Sequence, residues 1–228
     1  MAPPASTHAR HGHKPLLIFD FDGTLAQTLE AGIAIFNEIS PSYGLKPVTK
    51  EEVQELRKLN TRALLDHVGV SRLMAVKLGA HIRRLLHERI ERVALIPGIG
   101  DAIRELWNEG FRLGVLSSNS ADNVRTFLQH HHLLDCFGFI EAGVSLFGKQ
   151  QRIKNVLKKV RHSPTNTMYV GDETRDMEAA RQAGVCCLAV CWGVNGREAM
   201  LTEGPEYCVE TPPEMVIAAR DYALKNNH

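Results

Sequence analysis

The sequence has no apolar run near the roughly 20 residues that a membrane-crossing helix needs, which sets that class of protein aside. Neither charge sign is in excess: 27 Lys and Arg stand against 26 Asp and Glu, a net charge of +1. Such a balance gives no electrostatic case for nucleic acid or an anionic membrane as a partner. No Cys-x-x-Cys occurs among the five cysteines, so a zinc site or a dithiol motif has little support. Cys186 and Cys187 lie in the apolar run 185–190 and read as reduced, core-filling thiols. Residues 1–14, rich in Pro, Ala and His, lack the apolar stretch of a signal peptide and read as a disordered tail on a cytoplasmic protein. His130-His131-His132 closes a helical pattern, where imidazolium suits the negative end of the helix dipole. Adjacent side chains on a helix do not face each other, so no metal is expected there. There is no internal repeat, low-complexity tract or linker. What remains, 228 residues of which 44% are hydrophobic, suits one globular domain with room for an inserted subdomain. Oligomeric state is not legible.

The chain is organised around Leu16-Leu17-Ile18-Phe19-Asp20-Phe21-Asp22-Gly23-Thr24-Leu25. Four apolar residues in a row read as a strand buried on both faces. The run stops at Asp20, and a second carboxylate follows at Asp22. A period of two would put both on one side of the strand if strand geometry persists that far. At about 4 Å and an effective dielectric near 20, two like charges repel by roughly 4 kcal/mol, so the pair wants a cation.

From 27 to 95 the pattern is helical throughout. Leu29, Ile33, Phe36 and Ile39 recur at helical spacing until Pro41 and Gly44. Thr49 and Glu52 have the form of a capping box for a helix to Leu59, a short segment covers 61–67, and a long amphipathic helix follows Ser71 to Val93. Pro97-Gly98 marks the return to the main domain. Helices are then expected over 99–108, from 121, and over 150–160, 174–183 and 213–224. Strands are expected over 111–116, 137–141, 167–170, 185–190 and 207–209. Alternation of this kind implies a parallel sheet with helices on both faces. The organisation expected is a tail at 1–14, an α/β core at 15–26 and 96–228, and an inserted helical cap at 27–95.

In such folds ligands bind beyond the carboxyl ends of the strands. The polar residues at those ends are Asp20 and Asp22, Ser117-Ser118-Asn119, and Asp172 with Asp176; Lys149 sits in the Gly148-Lys149 loop before a helix. Each has a plain explanation alone, as turn residue, helix cap or solvated lysine. Together they make an acidic cluster with hydroxyl and amide donors and one cation. Clustered carboxylates suit a hard divalent ion, most simply Mg²⁺, and with it a phosphate dianion. That is a phosphoryl-transfer site.

Asp20-Phe21-Asp22-Gly23-Thr24, Ser117 after a strand, Lys149, and Gly171-Asp172-Glu173-Thr174-Arg175-Asp176 resemble, in order, the four motifs of the haloacid dehalogenase superfamily of phosphohydrolases. The long interval between the first two motifs is where members with a helical cap carry it. The stretch 171–183, with Trp192-Gly193-Val194-Asn195 beyond it, looks most like phosphoglycolate-phosphatase-type members. The resemblance implies a Rossmann-like core and a Mg²⁺-dependent phosphatase of a small phosphorylated metabolite, acting through an aspartyl-phosphate. It makes Asp20 the nucleophile and Asp22 the acid/base. Asp20, Asp22 through its backbone carbonyl, and Asp172 would hold the metal, with Asp176 behind them. Ser117, Ser118, Asn119 and Lys149 would bind the phosphoryl group.

Two positions depart from the family's pattern: Gln27 replaces a common acidic residue at the cap hinge, and Gln150-Gln151 follows Lys149 in place of Pro-x-Pro. Dehalogenase chemistry has no use for Asp22. A phosphonate hydrolase needs a cap lysine, and Lys46, Lys50, Lys58 and Lys77 lack an apolar setting to lower their pKa. A phosphosugar mutase shares the same core residues. A non-catalytic binding module would be signalled by loss of Asp20 or Asp22, and both are present.

Overall fold

The computed structural model describes residues 14–49, 52, 70–143 and 148–226. Residues 1–13 of the expected tail, most of the helix from 49 to 59 and the segment 61–67 lie outside the described residues. Strand β1 (Leu16–Phe19) is buried at every position, as a four-residue apolar run requires when both of its faces are covered. It pairs in parallel with β2 (Arg112–Ser117) on one side and β4 (Thr167–Gly171) on the other. With β3 (Phe139–Ala142), β5 (Cys186–Val190) and β6 (Tyr207–Val209) the sheet has the order β3-β2-β1-β4-β5-β6, all parallel. Strand order therefore reverses at β1, and the crevice between β1 and β4 is the place where such sheets bind ligands.

The period of two divides the core cleanly. Leu17 and Phe19 face one layer with Ile103 and Leu106 of α3 (Ile99–Asn108), Val124 and Phe127 of α4 (Ala121–His130), and Ala219 of α8 (Pro212–Asn226). Leu16 and Ile18 face the other, with Ile153 and Leu157 of α5 (Lys149–Val160) and Met177 and Ala180 of α6 (Thr174–Ala183). A short α7 (Arg197–Leu201) precedes β6. Cys187 is buried among this second set and Cys186 is half-buried; all five cysteines are free thiols. The histidine run ends α4 at His130, and His131, beyond the helix, turns its ring edge-on to that of His130.

Between β1 and α3 the regular elements among the described residues are helices. Helix α1 (Thr28–Ile39) and α2 (Arg72–Glu88) meet through Ile35, Ile39, Leu78 and Leu85, a core separate from the sheet's two layers. Ser71 caps α2 by accepting from the Met74 N–H, and α2 stops at Glu88, short of Val93, where a 3₁₀ turn (Ile90–Arg92) takes over. Thr49 and Glu52 exchange the two hydrogen bonds of a capping box, at 2.7 and 3.2 Å. The chain enters and leaves this segment side by side. Ile96 N donates to Leu25 O at 3.0 Å, Gln27 N to Ala94 O at 2.9 Å, and the Gln27 side-chain amide to Leu95 O at 2.9 Å.

Candidate active site

The site forms where β1, β2 and β4 end. Strand geometry does not persist to Asp22: β1 ends at Phe19, and the chain coils back so that Leu25 N and Ala26 N both donate to Phe21 O. Gly23, with φ +74, supplies the left-handed step in this coil. As a result the two carboxylates part. Asp20 turns towards β4 and α5, and Asp22 towards β2 and α1.

On the first side stand Asp20, Asp172 and Asp176, each offering a carboxylate oxygen within 4.8 Å of the others. Lys149 bridges two of them, donating to Asp20 Oδ2 at 2.6 Å and to Asp176 Oδ1. Lys149 is the first residue of α5, one position earlier than the expected helix, so the helix itself aims the ammonium. Asp172 follows the last residue of β4 and is wholly buried; Asp176 is the third residue of α6 and closes a capping box with Glu173. Thr24 Oγ donates to Asp172 Oδ1 at 2.7 Å, and Val194 N to Asp172 Oδ2 at 2.8 Å. Asn195 N binds the Asp172 carbonyl at 3.0 Å, and Trp192 Nε1 ties the same loop to Thr24 O at 3.2 Å.

Glycines clear the space for these carboxylates. A Cβ at Gly23 would lie 2.2 Å from Asp172 Oδ2, and one at Gly193 would lie 2.2 Å from the same oxygen. At Gly171 it would lie 2.5 Å from Asp176 Oδ2. The acid cluster is a packed object as well as a charged one.

Burial, then the Asp20 and Asp176 charges, pushes Asp172 up to about 8. Burial also raises Asp176 to about 7 against the pull of Lys149. Burial opposes the Lys149 ammonium, but Tyr169 and the Asp20 and Asp176 carboxylates hold it well above the usual lysine value. Once ionised, three carboxylates with one ammonium leave uncompensated negative charge in a desolvated place. Oxygen donors with that deficit fit a hard divalent cation.

On the second side, Asp22 accepts from Asn119 Nδ2, 3.0 Å to Oδ1 and 3.3 Å to Oδ2, and from the Thr28 hydroxyl at the start of α1. Burial first, then the Asp20 charge, raises Asp22 to about 6, while Asn119 and Thr28 draw it down. Ser117, the last residue of β2, is buried and its Oγ accepts from Asn119 N at 3.0 Å, which leaves its hydroxyl proton to donate. Ser118 is exposed, and the cap of α4 is Ser120.

Four contributors had no separate signal in the sequence. Thr24 belongs to the first motif without a role of its own there, and Val194 acts through its backbone. Thr28 and Arg152 look like ordinary helix residues. Arg152 donates to the carbonyls of Ser117 at 2.8 Å and Glu141 at 3.2 Å, tying α5 to the ends of β2 and β3. Its one hint is its place one turn after Lys149.

A family profile described as haloacid dehalogenase-like hydrolase matches residues 17–190. A phosphoglycolate phosphatase from Synechococcus elongatus is 35% identical over 202 residues, covering 89% of this chain and 95% of the relative. One from Vibrio vulnificus is 23% identical over 214 residues, covering 88% and 94%. Among solved structures, a haloacid dehalogenase-like family hydrolase from Streptococcus pneumoniae superposes with a TM-score of 0.77 at 20% identity, covering 90% of this chain and 98% of that one. With three-quarters of its length matched by the profile and the four motifs converging at one sheet end, the chain belongs to the haloacid dehalogenase-like hydrolases.

Proposed function

We propose that this enzyme is a metal-dependent phosphatase of a small phosphorylated metabolite, with phosphoglycolate as the leading substrate, working through an aspartyl-phosphate on Asp20. The observation that carries this reading is the division of labour between the two carboxylates of the first motif. Asp20 is held by Lys149 at 2.6 Å beside the acid cluster, while Asp22 stands apart on neutral donors with its pKa raised to about 6. A nucleophile needs to be ionised and aimed, and a general acid needs to keep its proton near neutral pH.

Asp20 attacks phosphorus, the ester P–O bond breaks, and the leaving oxygen takes the proton from Asp22. Asp22, now a carboxylate, removes a proton from water; the water oxygen attacks phosphorus and the P–O bond to Asp20 breaks. Lys149 offsets charge on Asp20 and the phosphoryl group, and Ser117 and Asn119 donate to phosphoryl oxygens. Asp20, the Asp22 carbonyl and Asp172 would hold Mg²⁺, with Asp176 supporting them through Lys149. When bound, the ion neutralises phosphoryl charge as a Lewis acid.

Residues 27–95 act in this reading as a helical cap over the site. Support for it comes from the separate α1–α2 core and from the paired crossings at 25–27 and 94–96. Among the described residues no helix is long and apolar enough to cross a membrane, and the five free thiols suit a reducing, cytoplasmic setting.

The test is a panel of phosphorylated metabolites ranked by kcat/KM, with Mg²⁺, with chelator and with Ca²⁺. Turnover of phosphoglycolate with Mg²⁺, its loss in chelator, and inhibition by the larger Ca²⁺ are expected. Full activity in excess chelator contradicts the metal role, and a sugar phosphate isomerised rather than hydrolysed points to a mutase.

A further inference from the structure

A chain of hydrogen bonds runs from Asp22 away from the acid cluster and ends on α2. Asn119 presents its amide to Asp22, and its carbonyl accepts from Asn123 Nδ2 at 2.8 Å. Asn123 is buried, and its carbonyl oxygen meets Nδ1 of His87, the last residue but one of α2. The direction of each link follows from the one before it. Asn119 turns its NH₂ towards both oxygens of Asp22, and so its carbonyl towards Asn123. Asn123 must then offer its NH₂, which leaves a carbonyl facing His87, and His87 donates from Nδ1. All three donors point the same way, and aligned amide dipoles strengthen one another. The helix-capping bond at Asn123 is separate, made by its backbone N–H to Ser120 Oγ at 3.1 Å. The Asn123 side chain is thus committed to this chain alone.

From this geometry we infer that His87 is a positioning residue for the acid/base: from α2 it fixes Asn123, through it Asn119, and so aims the Asp22 carboxyl at the leaving oxygen. Asp22 then has two supports, Thr28 on α1 and Asn119 backed by α2, and both lead to residues 27–95. The acid/base is steered by the helical segment, whereas the nucleophile is not. This rests on the reading of Asp22 as acid/base.

The test uses the whole chain with saturating Mg²⁺ and measures single-turnover phosphoenzyme formation. Two substrates are compared: phosphoglycolate, whose alkoxide needs a proton to leave, and p-nitrophenyl phosphate, whose phenolate does not. A fully engaged acid is worth roughly 10²–10⁴-fold, so His87→Ala, which only loosens its aim, should slow the alkyl substrate about tenfold. The aryl substrate should change by less than about twofold, because its leaving group does not draw on the acid. His87→Asn places an amide donor where Nδ1 stood and should restore the alkyl rate; His87→Leu, of similar bulk without a donor, should not. In an Asp22→Asn background, His87→Ala should add nothing further.

Equal slowing of both substrates by His87→Ala, or failure of His87→Asn to recover the alkyl rate, overturns the inference. The two possible failures are distinguishable. If Asp22→Asn fails to discriminate alkyl from aryl, the acid/base reading falls and takes this inference with it. If Asp22→Asn discriminates and His87→Ala does not, the inference about His87 falls alone.

Discussion

The two carboxylates of one motif sit in two different kinds of surroundings. Around Asp20 the side-chain partners are charged and come from the α/β core: half-buried Lys149 from α5, and buried Asp172 after β4 and Asp176 from α6. Around Asp22 the partners are neutral amides and hydroxyls, and they lead outward to α1 and α2. The core side is rigid because it is close-packed, down to glycines whose missing Cβ atoms the carboxylates occupy. Among the described residues, the outer side rests on a separate core of Ile35, Ile39, Leu78 and Leu85, and α2 leaves Leu73 and Val76 largely exposed. In the proposed mechanism, charge chemistry is fixed by the scaffold, and proton transfer is placed where α1 and α2 can influence it.

The most severe way to break this contrast is Asp20→Asn. An amide cannot attack phosphorus, and loss of a nucleophile that works with its neighbours as a unit typically costs at least about 10⁴-fold in turnover. Thermal stability should hold or rise, since one charge of a repelling cluster is gone. Turnover within tenfold of the parent removes Asp20 from the nucleophile's role.

Gly193→Ala attacks the same side without touching a polar group. Its Cβ would meet Asp172 at 2.2–2.4 Å, so either the 192–195 loop or the carboxylate must move. Overpacking of this kind costs about 1–3 kcal/mol, read as a lowered melting temperature. Mg²⁺ affinity should fall with it. An unchanged Mg²⁺ titration would show that the loop yields instead of the carboxylate.

Next in size is a pH effect confined to the metal-free protein. Asp172, Asp176 and Asp22 are raised to about 8, 7 and 6 from an ordinary 3.8, chiefly by burial. A carboxyl whose folded-state pKa is raised holds a proton that the unfolded chain releases, so its contribution is intact below about pH 4 and is lost as pH climbs through the folded value. In chelator the melting temperature should therefore fall from pH 5 to pH 8, by roughly 5–10 °C for a chain of this size. Added Mg²⁺ should recover more at pH 8 than at pH 5. A melting temperature that is flat in chelator would mean that the cluster is more solvated than its burial implies.

The parts of this arrangement that were legible from sequence are those written in local pattern. β1, β2 and β4 announce themselves as apolar runs ending in polar residues, and the helix expected over about 174–183 is α6. Asp20, Asp172, Asp176 and Lys149 followed from residue type and order. What was not legible depends on backbone paths. The coil from Phe21 to Ala26 sends Asp22 away from Asp20, a turn set by Gly23 and by hydrogen bonds to one carbonyl, which no periodicity encodes. The Val194 amide and the void at Gly193 are properties of a loop's course. His87 and Asn123 lie 36 positions apart and meet because the 3₁₀ turn that follows α2, Ile90–Arg92, packs on α4.

The finest test of the contrast is at Gln27, at the hinge of the proposed cap. Its side-chain amide donates to Leu95 O at 2.9 Å, beside a backbone bond from Gln27 N to Ala94 O that any residue keeps. Gln27→Ala removes one partly buried hydrogen bond, worth about 0.5–1.5 kcal/mol, and Leu95 O can turn to water in its place. Because the hinge belongs to the outer side, the loss should appear as faster amide exchange over α1 and α2 and a severalfold rise in KM. The melting of the core and the rate of phosphoenzyme formation at saturation should scarcely move. Gln27→Glu sharpens the point. An ionised carboxylate cannot donate to Leu95 O, so two acceptors are left facing each other, and the hinge should be looser than with alanine, by about 1–3 kcal/mol where the pair stays desolvated. Lowering the pH until the introduced carboxylate is protonated restores a donor and should bring KM back towards the parent value. An alanine variant worse than the glutamate one would mean that Gln27 packs the hinge and does not bind it. Equal exchange in all three proteins would place the hinge's strength in its backbone bonds alone.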